Sequence, residues 1–117
     1  MTNRHQVNIY HKEKRIQARV ASNYLSRLRG LIGSRPLRPS EGLLMVPCNF
    51  VHTFGLQYAI DVVFLSPDFK IIKIITYCQP LKFFKHRQAK YVLELFAGQA
   101  SVHDFKVGTK LRLSATK

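Results

Sequence analysis

Acidic side chains are scarce in this chain: its 117 residues hold six Asp and Glu against nineteen Lys and Arg, a formal charge of +13. Such a balance attracts polyanions, nucleic acid or acidic membrane surface among them, through long-range attraction and counterion release; it says nothing about fold. Trp is absent, but eight Phe and five Tyr within a hydrophobic fraction of 46% supply enough apolar bulk for a core and exclude a disordered chain. Cysteine is limited to Cys48 and Cys78, too few and too far apart for a zinc site or a CxxC redox pair. Each sits in an apolar stretch, so the expectation is two small buried hydrophobes. No apolar run approaches the roughly 18–20 residues a membrane span needs. Met1 to Gln6 lack the apolar segment of a signal peptide, so the expected location is cytoplasmic.

What is present reads as one domain over 1–117, of a size that folds without staples. Val7–Tyr10 and Ile16–Val20, around the polar turn His11–Lys14, predict an antiparallel hairpin. Ser22 offers a helix cap, and Tyr24, Leu25, Leu28, Leu31 and Ile32 form one apolar stripe, predicting the main helix over 22–32. Gly30 within it suggests close packing or an early end, Gly33 stops the helix, and 34–39 is a loop fixed by two prolines. Gly42–Pro47 is a short apolar run. Tyr58–Leu65 and Phe69–Tyr77 flank the turn Ser66-Pro67-Asp68 and should pair as a hairpin. Gln79–Lys90 reads as a basic, exposed connection with two phenylalanines. Tyr91–Phe96 is a further strand, 97–104 a short second helix, and Lys110–Leu113 a last strand.

Two carboxylates interrupt apolar strands, Asp61 in Ile60-Asp61-Val62-Val63-Phe64 and Glu94 in Val92-Leu93-Glu94-Leu95-Phe96. Strand alternation puts Asp61 with Val63 and Leu65, and Glu94 with Val92 and Phe96. On a buried face each must find a partner or stay neutral, because a bare buried charge is costly. The structural reading is a carboxylate tied to an Arg, a backbone amide or a hydroxyl; the functional one is a general base or ligand contact. In Val51-His52-Thr53-Phe54-Gly55, His52 and Thr53 are polar groups between apolar neighbours, and Gly55 permits close ligand approach. His52 and Asp61 together would make a small hydrolase. No G-x-S-x-G elbow, HExxH pair, P-loop or dinucleotide fingerprint is present, so no catalytic residue and no cofactor is assigned. His5, His11, His52, His86 and His103 are scattered, and no metal site is expected. Lys82-Phe83-Phe84-Lys85-His86-Arg87-Gln88-Ala89-Lys90 interleaves basic and aromatic residues, which suits stacking on single-stranded bases or seating on an anionic surface. The bland reading is a solvated loop whose phenylalanines tuck onto the core.

In order, Arg29-Gly30-Leu31-Ile32-Gly33, Gly42-Leu43-Leu44-Met45, Val51-His52-Thr53-Phe54-Gly55-Leu56, Ile60-Asp61-Val62-Val63-Phe64-Leu65 and Tyr91-Val92-Leu93-Glu94-Leu95 with Ala97-Gly98 resemble the domain of unknown function 192 family, in a His-Thr-Phe-Gly variant. The resemblance spans roughly Ala18 to Leu113. It implies a small barrel-like mixed sheet with one or two helices, and brings no reaction, substrate or cofactor.

The expectation is therefore an α+β domain with a curved, mainly antiparallel, barrel-like sheet crossed by the 22–32 helix. Its leading function is a non-enzymatic binding or accessory module. The expected ligand-binding residues are His52, Thr53, Asp61 and Glu94, with Arg27 and Arg29 as charge partners for the carboxylates. The alternative is nucleic-acid or other polyanion binding through Lys82, Lys85, Arg87 and Lys90; the third is the His52–Asp61 hydrolase. A protein partner, or a dimer formed through exposed strand edges, is compatible with the pattern.

Overall fold

The alternation in the first forty residues produces the expected hairpin. β1 (Gln6–His11) and β2 (Lys14–Ala21) pair antiparallel from Gln6 opposite Arg19 to His11 opposite Lys14. In β2, Ile16 and Ala18 are buried while Arg15, Gln17 and Arg19 face solvent, as period-two patterning requires. The computed structural model describes residues 6–33 and 35–115, without the side chains of Tyr24, Leu25 and Arg29. Residues 1–5, read above for a leader segment and including His5, lie outside the described residues, as do Ser34 of the proline loop and two stripe residues' side chains.

The main helix is shorter than its apolar stripe predicts. α1 spans Tyr24–Arg29 and is capped by Asn23, not Ser22. The Asn23 side chain accepts from the Ser26 N–H at 2.8 Å, and the Asn23 N–H donates to the Ser26 hydroxyl at 3.3 Å. The helix ends at Gly30, whose φ of 55° leaves the helical region at low cost only for glycine. Leu31 then drops into the core, whereas Leu28 of the stripe is 41% exposed.

α1 serves as the crossover between β2 and β3 (Glu41–Met45), which run parallel, a pairing no hairpin turn could make. β4 (Phe50–His52), β5 (Ile60–Leu65), β6 (Ile71–Cys78), β7 (Phe83–Lys85), β8 (Tyr91–Phe96), α2 (Gln99–Val102) and β9 (Arg112–Ala115) follow. Seven strands form one sheet in the order β6-β5-β8-β3-β2-β1-β9, while β4 and β7 pair as a separate antiparallel ribbon. The expected β5–β6 hairpin forms around Ser66-Pro67-Asp68. The segment Gln79–Lys90 is not a plain connection: β7 lies within it, because Phe84 finds core to pack against and β4 supplies a ladder partner.

The class is α+β. The strand ladders do not close the sheet into a barrel; its two ends meet at an isolated bridge between Lys70 and Lys110. One face of the sheet, with Leu43, Met45, Ile60, Val62, Phe64 and Val92, is covered by the chain after α1 (Leu31, Ile32) and by the β4–β7 ribbon (Val51, Phe84). The other, with Leu44, Val63, Leu65, Leu93 and Leu95, is covered by Ala100 of α2 together with Phe105 and Leu111. Two cores thus share one sheet, and a polar residue's fate depends on which face it occupies.

Candidate functional site

Asp61 and Glu94 look alike in sequence and lie on opposite faces. Val62 sits opposite Glu94 and Asp61 opposite Leu95 in the β5–β8 ladder, so Glu94 shares the ribbon-covered face and Asp61 the α2-covered one. Asp61 is fully buried, and its carboxylate is occupied by main chain. Oδ1 accepts from the Tyr77 N–H at 2.9 Å; Oδ2 accepts from the Gly98 and Ala100 N–H groups at 3.0 and 2.9 Å. Gly98 is the cap residue of α2 and has no side-chain cap of its own, so Asp61, on the face that α2 covers, caps that helix. Gly98 stands at φ 93°, and a Cβ there would come within 2.8 Å of the Tyr77 hydroxyl.

Among the described residues Glu94 has no such partners. Its side chain is buried, and Oε1 meets no hydrogen-bond donor. Burial pushes its carboxyl up to about 8, with Arg19 pulling weakly the other way. Arg19 lies on the same row, across Leu43, and forms no ion pair with Glu94 among the described residues. Gly30 sits directly over the carboxyl: a Cβ built on it would lie 3.5 Å from Oε1. Around this neutral acid are Cys48, Tyr58 and Cys78, whose acidities are all lowered by burial and also by the Glu94 charge when it forms; for Cys48 a main-chain hydrogen bond from Phe50 opposes this. Both cysteines are free and buried, the Cys48 thiol donating to the Phe50 carbonyl at 3.0 Å.

The other expected ligand residues separate. The Thr53 hydroxyl is fully buried, donates to the Gln79 carbonyl at 2.8 Å and accepts from the Lys82 N–H at 2.9 Å, so it ties β4 to β7. Nε2 of His52 donates to the Leu28 carbonyl at 2.8 Å, because a carbonyl only accepts, and Nδ1 is buried without a partner. His52 thus belongs to the ribbon over the Glu94 face, with the seven-stranded sheet between it and Asp61; the pair cannot act as a hydrolytic base and orienter. Arg27 donates to the Ser22 carbonyl at 2.9 Å and bonds neither carboxylate. The Arg29 side chain lies outside the described residues.

The ribbon itself is the feature sequence reading missed. Phe50 opposes Lys85 and His52 opposes Phe83, so these four share its outer face, although Phe50 is partly buried against the core; Val51 and Phe84 point into the core. Phe50 stacks on Phe83 with ring centroids 6.2 Å apart and planes at 20°; His52 stacks on Phe54 at 5.8 Å and 23°. Phe83 and Phe54 remain 57% and 48% exposed, beside Lys82 and Lys85. Arg87 and Lys90 lie on the turn after β7. None of Lys82, Lys85, Arg87 and Lys90 forms an ion pair among the described residues. The signal was present in sequence as alternating Phe83, Phe84 and Lys85, but its partner lies more than thirty residues upstream.

An open seven-stranded sheet with one crossover helix and a capping ribbon defines a small α+β domain. Residues 6–113 match the family model of domain of unknown function 192, an uncharacterised group, and the chain belongs to that family. It is 31% identical over 104 residues to a UPF0127 protein of Pyrococcus furiosus, covering 86% of this chain and 89% of that one. Its fold is similar to a protein of unknown function from Novosphingobium aromaticivorans (TM-score 0.78, 19% identity, 92% of this chain and 83% of that one). It is also similar to a protein from Sinorhizobium meliloti provisionally assigned as a transcription regulator (TM-score 0.79, 22% identity, 94% and 92%). At these identities the two structures share the fold alone. Among the described residues no helix is long and apolar enough to cross a membrane.

Proposed function

We propose that this domain is a non-enzymatic binding module whose recognition face is the outer face of the β4–β7 ribbon, and that it takes a single-stranded nucleic acid. One observation carries the reading: the register sets two aromatic stacks side by side, with Phe83 and Phe54 open to solvent and unpaired Lys82 and Lys85 next to them. Bases stack on such rings at a gain of about 1–3 kcal/mol each, and ammonium groups take the phosphates. The charge of +13 supports the same ligand class. His52 serves the platform through its fixed ring, held by the Leu28 carbonyl. The bridge between Lys70 and Lys110 supports a barrel-like curl of the sheet, with the ribbon as an appendage on its surface.

The test is fluorescence anisotropy of a labelled single-stranded oligonucleotide of about ten bases, a length within one small domain's site size. Binding at low salt that weakens roughly ten- to hundredfold in Phe83→Ala supports the proposal. Failure to bind at low salt, equal binding by Phe83→Ala, or binding only to anionic phospholipid vesicles overturns it.

A further inference from the structure

On the opposite face of the sheet from the ribbon, the structure holds a groove that neither the family nor the proposed function accounts for. Its volume is about 550 Å³, within the roughly 300–1,000 Å³ of small-molecule sites. Leu44 forms its buried floor, and half-buried Val7, Val20, Phe69 and Leu113 form its walls. These residues come from β1, β2, β3, β9 and the β5–β6 turn, so the groove lies where the two halves of the sheet come together. One wall is a flat aromatic pair, Phe69 on Tyr91, with centroids 4.5 Å apart and planes at 10°. Among the described residues a single charged one lines the groove, Lys90, and no Asp or Glu does. The main chain of Lys90 is fixed on both sides: its N–H donates to the Leu65 carbonyl and its carbonyl accepts from the Cys48 N–H, both at 2.8 Å. Its ammonium has no ion-pair partner among the described residues.

We infer that this groove is a binding site for a small soluble amphipathic carboxylate, its apolar body against Leu44 and the Phe69–Tyr91 wall and its carboxylate on Lys90. Apolar walls alone would accept any hydrocarbon. The lone lysine at the edge of an apolar lining, in a chain with thirteen excess positive charges, selects the anionic end group. The site is independent of the nucleic-acid platform, which lies across the sheet.

Three ten-carbon probes that share one tail test it: decanoate below its micelle concentration, decanol and decylammonium, titrated into the full chain by calorimetry and by amide chemical shifts. The inference expects saturable one-to-one binding of decanoate, with shifts at Val20, Leu44 and Tyr91, tighter than either other probe. Lys90→Gln, at an exposed position whose main-chain hydrogen bonds the substitution keeps, should weaken decanoate roughly tenfold and leave decanol unchanged. No saturable decanoate binding up to about 1 mM overturns it. So does decylammonium binding as tightly as decanoate, or a Lys90→Gln variant that binds decanoate unchanged.

Discussion

Replacing Glu94 by Gln should make the protein more stable at neutral pH, and the gain should depend on pH in one direction. In the unfolded chain the carboxyl ionises near its ordinary value of 4.5; in the folded protein, burial moves ionisation up to about 8. Between these values the folded state keeps a proton that the unfolded state has released. The unfolded state therefore binds fewer protons, and stability falls as pH rises through this window. One group costs about 1.4 kcal/mol per pH unit, so the parent should lose roughly 3 kcal/mol between about pH 5 and pH 7 through Glu94 alone. Burial depresses the folded His103 ionisation, which acts in the opposite sense: its contribution rises with pH up to the ordinary histidine value. Comparing parent with Glu94→Gln at each pH cancels that term, because both proteins carry it. The assay is urea unfolding followed by far-ultraviolet circular dichroism at pH values from about 5 to 8. The difference between variant and parent should grow with pH. Parallel curves would refute the reasoning, since they would require Glu94 to be ionised and partnered within the folded protein.

Replacing Asp61, unlike replacing Glu94, should destabilise the protein. Asp61→Ala leaves the Tyr77, Gly98 and Ala100 amides without an acceptor in the core, and should cost on the order of 3–5 kcal/mol in chemical unfolding; a loss below about 1 kcal/mol would mean that the amides find another partner. Gly98→Ala should cost about 1–2 kcal/mol from its positive φ, with the exposed Tyr77 ring moving aside, and a stabilising result would count against the geometry. Cys48 and Cys78 should react slowly with a thiol reagent in the native state and rapidly in denaturant, because both thiols are buried and poorly ionised; fast native labelling of either would contradict this.

How much of this was legible in the sequence differs by element. The β1–β2 and β5–β6 hairpins were readable because their signals are local: alternation about a polar turn in the first, two apolar strands about the Pro-containing Ser66-Pro67-Asp68 turn in the second. The early end of α1 was readable in Gly30, although its N-cap moved by one residue to Asn23, whose side chain has Ser26 at the right spacing. The parallel β2–β3 pair and the β4–β7 ribbon were not readable. Three-residue strands such as Phe50–His52 carry too few positions for a period, and their partners lie far along the chain. Asp61 and Glu94 show the same limit in the candidate site. Each interrupts an apolar strand, yet one meets three amides and the other a glycine and thiols, and only the packing on each face decides between them. Thr53 was noticed as a polar residue among apolar ones; that it is fully engaged in joining two strands depends on the position of Gln79 and Lys82.

The most direct test of the central claim is the salt dependence of single-stranded oligonucleotide binding, measured for the parent and for Phe83→Ala and Lys85→Gln. With Lys82, Lys85 and Arg87 on phosphates, the slope of log affinity against log salt should be about −2. Lys85→Gln should reduce that slope by somewhat less than one unit, and Phe83→Ala should lower affinity while leaving the slope unchanged. Binding with no salt dependence, or variants indistinguishable from the parent, would contradict the account.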